Sequence, residues 1–201
     1  MKKLLPVLAA YLMLLSSFII RPAAEGYKVG DKAADFKLKN VDGKMVSLAD
    51  NKAAKGYIVV FTCNTCPYAK AYESRIVELN KKYAPQGFPV VAINPNDPSV
   101  APGDSYAAMQ TKKYAFPYLL DETQQVAKTY GATRTPHLYV LARKGNDLVV
   151  SYIGAIDDNS EDATAVKTKY VENAMTEILG GKPATTSSTK AIGCTIKWKR
   201  A

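Results

Sequence analysis

Cysteine, histidine and tryptophan are scarce in this 201-residue chain, at three, one and one. Three cysteines cannot build a disulfide-stapled scaffold, and their odd number leaves one thiol to be accounted for. One histidine and a single CxxC fall short of a structural zinc site, which takes four ligands and favours a second CxxC or an HxxxH pair. The basic excess, 27 against 18 acidic residues, comes as single and paired lysines without an Arg-rich run or an aromatic-interleaved stripe. A nucleic-acid surface would gather such charges on one face, so they read as solvated helix faces, and nucleic acid is not expected as a partner. No segment repeats, which excludes a repeat architecture.

What is present is ordinary globular material. Apolar residues make up 47% and charged residues 22%, values that exclude wholesale disorder. One domain of this length buries roughly 70% of the surface its unfolded chain exposes, enough to fold without staples. The first 24 residues stand apart. Met1-Lys2-Lys3 is followed by an apolar run from Leu4 to Ile20, then Arg21 and the small residues Ala23 and Ala24. This is the layout of a secretory signal peptide cleaved before Glu25, with an uncleaved N-terminal membrane anchor as the competing reading. Either places the folded part outside the cytoplasm, in the periplasm or secreted, and a membrane is a partner only in the second. Cleavage leaves 24 basic and 18 acidic residues, so the charge excess drops to +6.

Asp42-Gly43 between two short alternating stretches predicts an N-terminal β-hairpin. The run Tyr57-Ile58-Val59-Val60-Phe61 is a strand buried on both faces. After Pro67 the period becomes helical, with Tyr72, Ile76, Leu79 and Tyr83 on one face, and Pro85 and Gly87 end the helix. A second buried strand over residues 88–93 implies parallel pairing across the helix. Beyond a Pro- and Asn-rich loop, a short helix is expected over about 105–114. A second is expected between a capping box, Asp121 with Gln124, and Gly131. Residues 137–141 and 148–153 make an antiparallel hairpin, and a last helix carries Val166, Tyr170, Val171, Ala174, Met175 and Ile178. Asp157-Asp158-Asn159 reads as a turn without chemistry. The fold class is α/β, a central mixed sheet flanked by helices with an N-terminal hairpin extension.

Cys63-Asn64-Thr65-Cys66 falls between a buried strand and a helix start. In an exported, Cys-poor chain that placement points to a redox dithiol. Helix N-terminal N–H groups and the dipole favour negative charge, so Cys66, directly before Pro67, is the candidate reactive thiolate and Cys63 its partner. A static disulfide or half a zinc site are the bland alternatives. The second element is Thr133-Arg134-Thr135-Pro136-His137 at a strand entry.

With these elements residues 26–160 resemble the thioredoxin superfamily, in its redoxin (AhpC/TSA-like) branch. The resemblance rests on Val29-Gly30-Asp31-Lys32-Ala33, Asp35-Phe36, Phe61, the CxxC, Asp121-Glu122 and Thr135-Pro136. Cys63-Asn64-Thr65-Cys66-Pro67-Tyr68 and Gly193-Cys194-Thr195-Ile196-Lys197-Trp198 narrow it to a group of exported bacterial thioredoxin family proteins. The resemblance implies a thioredoxin-like domain over 25–182. It also implies a cis-proline loop at Thr135 and Pro136 that faces the redox cysteine and docks substrate. The register departs from thioredoxins. Counting from Phe61 makes Cys66 the nucleophile, Ala69 stands at the usual resolving position, and Val60 replaces the buried acid. The peroxiredoxin pattern Pro-x-x-x-Thr/Ser-x-x-Cys fits neither cysteine.

The implied activity is extracytoplasmic thiol–disulfide exchange without a cofactor. Cys66 attacks, Cys63 resolves, and the partners are protein or small-molecule thiols and disulfides together with an unidentified redox partner. A thiol peroxidase acting on peroxide, with antioxidant activity, is the first alternative. A copper- or zinc-handling protein using Cys63, Cys66 and His137 is the second, although no metal is assigned. Residues 183–201 read as a polar linker and a basic tail. The alternating Ile192, Ile196 and Trp198 suit an extended docked segment, which predicts Cys194 near the Cys63/Cys66 pair as a resolving or regulatory thiol.

Overall fold

The structure is a computed structural model that describes residues 26–200. The expected signal peptide or anchor over 1–24 lies outside the described residues. Among the described residues no helix is long and apolar enough to cross a membrane.

In chain order the elements are β1 (Lys37–Asn40), β2 (Met45–Ser47), β3 (Gly56–Phe61), α1 (Pro67–Tyr83), β4 (Val90–Asn94), α2 (Tyr106–Met109) and β5 (Tyr118–Leu120). They continue with α3 (Gln125–Tyr130), β6 (Arg134–Thr135), β7 (His137–Lys144), β8 (Asp147–Gly154), α4 (Tyr170–Leu179) and β9 (Cys194–Thr195). Seven strands form one mixed sheet in the order β2-β1-β5-β4-β3-β7-β8, and β6 pairs separately with β9. Strands β3, β4 and β5 run parallel; β7, β8 and the β1–β2 hairpin join antiparallel.

Central strand β3 is buried along its whole length. Side chains alternate across a strand, so Ile58 and Val60 face Tyr72, Ile76 and Leu79 of α1 and Val171 and Met175 of α4. Tyr57, Val59 and Phe61 face the other layer, with Tyr130 of α3, Tyr139 and Ile196. A strand covered on both faces needs a continuous apolar run, which is what residues 57–61 supply. Each such side chain, fully buried, contributes roughly 1.5–3 kcal/mol.

The mixed sheet and flanking helices match the expectation, with local corrections. Helix α2 ends at Met109 instead of continuing to 114. The chain leaves it so that Tyr114 and Phe116 stack at 4.8 Å and pack on the core before Pro117. Strand β5 was not anticipated, because three residues between a proline and an aspartate carry no readable period. Val166 precedes α4 in extended chain, where the Asp158 carboxylate accepts the Lys167 and Thr168 N–H groups. Asp121 and Gln124 do not form a capping box. The Asp121 carboxylate accepts the Ala127 N–H at 2.8 Å, while Gln124, at φ 60°, turns its side chain to other work. Asp157, read as a turn, is buried in an ion pair with Arg75 at 2.7 Å and accepts the Tyr72 hydroxyl at 2.9 Å. It ties the chain after β8 to α1.

Candidate active site

Strand β3 delivers Cys63 two residues beyond its C-terminal end, and Cys66 is the N-cap of α1, with Pro67 at the first helical position. The turn between them is held by a residue the sequence did not single out. Asp104 is fully buried, and its Oδ1 accepts the Asn64 and Thr65 N–H groups at 2.7 and 3.0 Å. Its Oδ2 accepts the Thr65 hydroxyl and the Asn96 amide, both at 2.7 Å. Four donors satisfy the buried carboxylate, which would otherwise be costly. Tyr118 adds a hydroxyl donated to Asn64 Oδ1 at 2.9 Å.

The Thr135–Pro136 peptide bond is cis. Thr135 is fully buried against the cysteines: its Oγ1 lies 3.3 Å from Cys63 Sγ, and its carbonyl accepts the Cys66 thiol at 3.1 Å. Both thiols are buried, at 6% and 4% exposure, and Cys194, half-buried, packs against them. Hydrogen bonding from the Cys63 thiol is the main cause that holds Cys66 well below the usual thiol range. The Cys194 thiol and the Ala69 and Cys194 backbone assist, against the opposing cost of burial. The Cys66 side chain makes no capping hydrogen bond, and a helix start favours negative charge at its position. The Thr135 carbonyl favours the neutral thiol, but the donors around the sulfur outnumber it. Cys63 is pushed up, first because it donates to Cys66, then by burial, with the Asp104 charge adding to both. Of the two sulfurs, Cys66 is the one favoured as thiolate and Cys63 the one favoured as thiol.

The tail reaches this site. Strand β9 lies antiparallel on β6, with Arg134 opposite Thr195 and Thr135 opposite Cys194. The Arg134 guanidinium donates to the Gly193 carbonyl at 2.8 Å, and a Cβ at Gly193 would meet the Thr135 carbonyl oxygen at 2.2 Å. Only glycine allows that approach. Beyond Cys194, Ile196 is buried, and Gln124 donates to the Lys197 carbonyl and accepts the Lys199 N–H, both at 2.9 Å. Asn96 Oδ1 accepts the Lys197 N–H, and the Lys197 carbonyl also accepts the Asp97 N–H.

His137 is buried beside Tyr139, ring centroids 4.9 Å apart, and burial followed by the Arg134 charge lowers its pKa to about 4. Among the described residues no group of His, Cys, Asp and Glu is arranged to hold a metal ion, so Cys63, Cys66 and His137 are not assembled as a ligand set.

The model of the AhpC/TSA family matches residues 29–151, more than half of the chain. The chain belongs to the AhpC/TSA family. Among solved structures, this family member is similar to an uncharacterized conserved protein from Geobacillus kaustophilus. The two share 38% identity over 87% of this chain and 94% of the other, with a TM-score of 0.79. A hypothetical protein from Sinorhizobium meliloti 1021 matches at 32% identity over 88% and 97%, with a TM-score of 0.80. Among curated proteins, the thiol-disulfide oxidoreductase ResA of Bacillus thuringiensis subsp. konkukian (strain 97-27) is 25% identical over 121 residues. Those cover 60% of this chain and 68% of that protein. The fold is thioredoxin-like. Asp104, Asn96, Gln124 and Gly193 are the residues of this AhpC/TSA site that sequence reasoning missed. Pro102-Gly103-Asp104 looks like any loop; only the Gly193-Cys194 pair hinted at a close backbone approach.

Proposed function

We propose that this protein is an extracytoplasmic thiol–disulfide oxidoreductase whose redox couple is Cys63 and Cys66. The observation that carries the reading is the placement of both thiols between the end of β3 and the start of α1, against Thr135 of the cis-proline loop, where the Cys63 thiol lowers the Cys66 pKa. A thiolate is the nucleophile in disulfide exchange, and a low-pKa thiolate is also the better leaving group. Cys66 attacks a disulfide sulfur brought to it. The substrate S–S bond breaks, one substrate sulfur leaves as thiolate, and a mixed disulfide to Cys66 forms. Cys63 then gives up its proton and attacks the Cys66 sulfur, which releases the second substrate thiol and leaves Cys63–Cys66 oxidised. The electrons stay on sulfur, so no cofactor enters. Thr135, whose hydroxyl and carbonyl touch the two cysteines, and Pro136 shape the substrate approach, with β9 lying along the β6 edge. The location is supported by the basic, apolar, small-residue pattern of residues 1–24, and the activity by the likeness to ResA.

The test is disulfide reduction by the full chain with a model protein disulfide, followed by mass spectrometry. Cys66→Ser is expected to abolish exchange, and the Cys63→Ser/Cys194→Ser double variant to accumulate a mixed disulfide on Cys66. Faster alkylation of Cys63 than of Cys66 at neutral pH reverses the roles. Peroxide consumption exceeding disulfide exchange under the same conditions would replace this reading with that of a thiol peroxidase.

A further inference from the structure

Cys66 has two thiol neighbours, and the couple just described uses one. The other, Cys194, is placed by backbone pairing rather than by chance contact. Its register partner is Thr135, the residue whose hydroxyl touches Cys63 and whose carbonyl accepts Cys66. The Cys194 side chain packs against those of Cys63 and Cys66, and its thiol helps to lower the Cys66 pKa.

The strand that carries Cys194 is fastened on both sides. Upstream, the Thr189 N–H donates to the Ile153 carbonyl and the Thr189 hydroxyl meets Tyr152 at 2.7 Å. Downstream, the Ile196 N–H donates to the Thr133 carbonyl at 3.1 Å, and Gln124 and Asn96 hold residues 197 and 199. Two glycines mark the close approaches: a Cβ at Gly154 would meet Thr189 Oγ1 at 2.2 Å, and one at Gly193 the Thr135 carbonyl at the same distance. A thiol held this way stays on Cys66. It also occupies the β6 edge, where an external extended segment would otherwise pair. With Cys66 at 4% exposure and Cys63 at 6%, Cys194 is the sulfur of the three that solvent reaches most readily.

We propose that Cys194 is the outer member of a three-thiol relay, passing the disulfide between the buried Cys63/Cys66 couple and external thiols. The proposal rests on the reading of Cys63 and Cys66 as a redox couple and adds a third site to it. From the Cys63–Cys66 disulfide, the Cys194 sulfur attacks Cys66 Sγ. The bond to Cys63 breaks, Cys63 takes the proton that Cys194 gives up, and Cys66–Cys194 is the new disulfide. An external dithiol then attacks Cys194 Sγ through one thiolate. Cys66 leaves as thiolate, the most stabilised leaving group of the three, and a mixed disulfide joins the substrate to Cys194. The second thiol of the substrate attacks the substrate sulfur in that bond, closes the substrate disulfide and releases Cys194 as thiol. Two electrons pass from the dithiol to the protein, and no bond change involves anything but sulfur and its protons.

The experiment is non-reducing peptide mapping of the full chain after oxidation with diamide, combined with turnover using dithiothreitol as the external dithiol. In Cys63→Ser, a Cys66–Cys194 disulfide is expected. In Cys194→Ser, the Cys63–Cys66 disulfide still forms, but its reduction by dithiothreitol is roughly tenfold slower or worse, because the attack must then reach a buried sulfur. Gly193→Val keeps all three cysteines while lifting β9 from Thr135, and is expected to lose the Cys66–Cys194 product. The relay is overturned if Cys194 stays fully alkylatable in oxidised Cys63→Ser, or if Cys194→Ser is reduced at the wild-type rate. A failure to form Cys63–Cys66 in Cys194→Ser would instead strike the reading of the couple itself.

Discussion

At the scale of single residues the decisive asymmetry is between two cysteines three positions apart. Cys66 is at a helix start and receives hydrogen bonds; Cys63, two residues past a strand, donates one and is buried beside the Asp104 charge. The lowered pKa of Cys66 means that reactivity toward iodoacetamide persists as pH falls through the range where an ordinary thiol, pKa ~8.5, becomes protonated. The sign is that of a depressed acid: the thiolate, and the stability it lends the reduced fold, are present above the unfolded-state pKa and lost as pH falls through the folded one. Cys63→Ser exchanges the thiol donor for a shorter hydroxyl, so the Cys66 alkylation profile is expected to shift toward higher pH. A profile unchanged by that substitution would show that the helix start alone sets the ionisation. Asp104→Asn keeps the shape but removes the charge that four donors converge on. It is expected to cost about 2–3 kcal/mol, measured by urea unfolding.

Among the elements, the pairing of β6 with β9 is the one that joins the active site to the tail. It is only two residues on each strand, so its persistence depends on the side chains around it. Gln124 is the chief of these: buried, in the left-handed region, and bonded to Pro95 and Lys197 carbonyls and to the Lys199 N–H. Gln124→Ala removes all three bonds and takes the Gln124 donor from the buried Pro95 carbonyl, at a cost of about 1–3 kcal/mol. Trp198, the single tryptophan, lies two residues beyond Ile196 and carries Lys128 over its ring at 5.8 Å. The expected result is a red shift of its fluorescence and faster proteolysis within residues 190–201. Emission identical to wild type would mean that the remaining tail contacts suffice.

For the molecule as a whole, the sheet has no free histidine to titrate near neutrality. His137 is buried and its pKa lowered to about 4. In the unfolded chain it binds its proton near pH 6.5, so between that value and about 4 the unfolded state holds more protons. Stability is therefore complete above pH 6.5 and falls as pH drops, by on the order of 3 kcal/mol from this group. His137→Leu is expected to flatten the urea-midpoint profile between pH 7 and 4.5; an equally steep profile in the variant would assign the acid sensitivity elsewhere.

Much of the layout was legible because it is encoded locally. The strand at 57–61, the helix from Pro67 and the CxxC between them follow from a change of hydrophobic period and a proline at a helix start, and none needs a distant partner. Strand β5 was not legible, since three residues carry too little pattern to outweigh the proline beside them, and α2 was legible in its place but not in its length. The clamp on the CxxC turn was not legible either. Asp104 acts on residues forty positions earlier, and Gln124 and Asn96 act on residues more than seventy positions later. Their side chains obey no period, because their partners are backbone groups that only folding brings near. The sequence by itself determined which residues can be thiolate, strand or helix start. The sequence pointed the tail toward the pair; only the tertiary structure decided that Cys194 reaches it by pairing with Thr135, because that pairing depends on the return of the whole chain across the sheet.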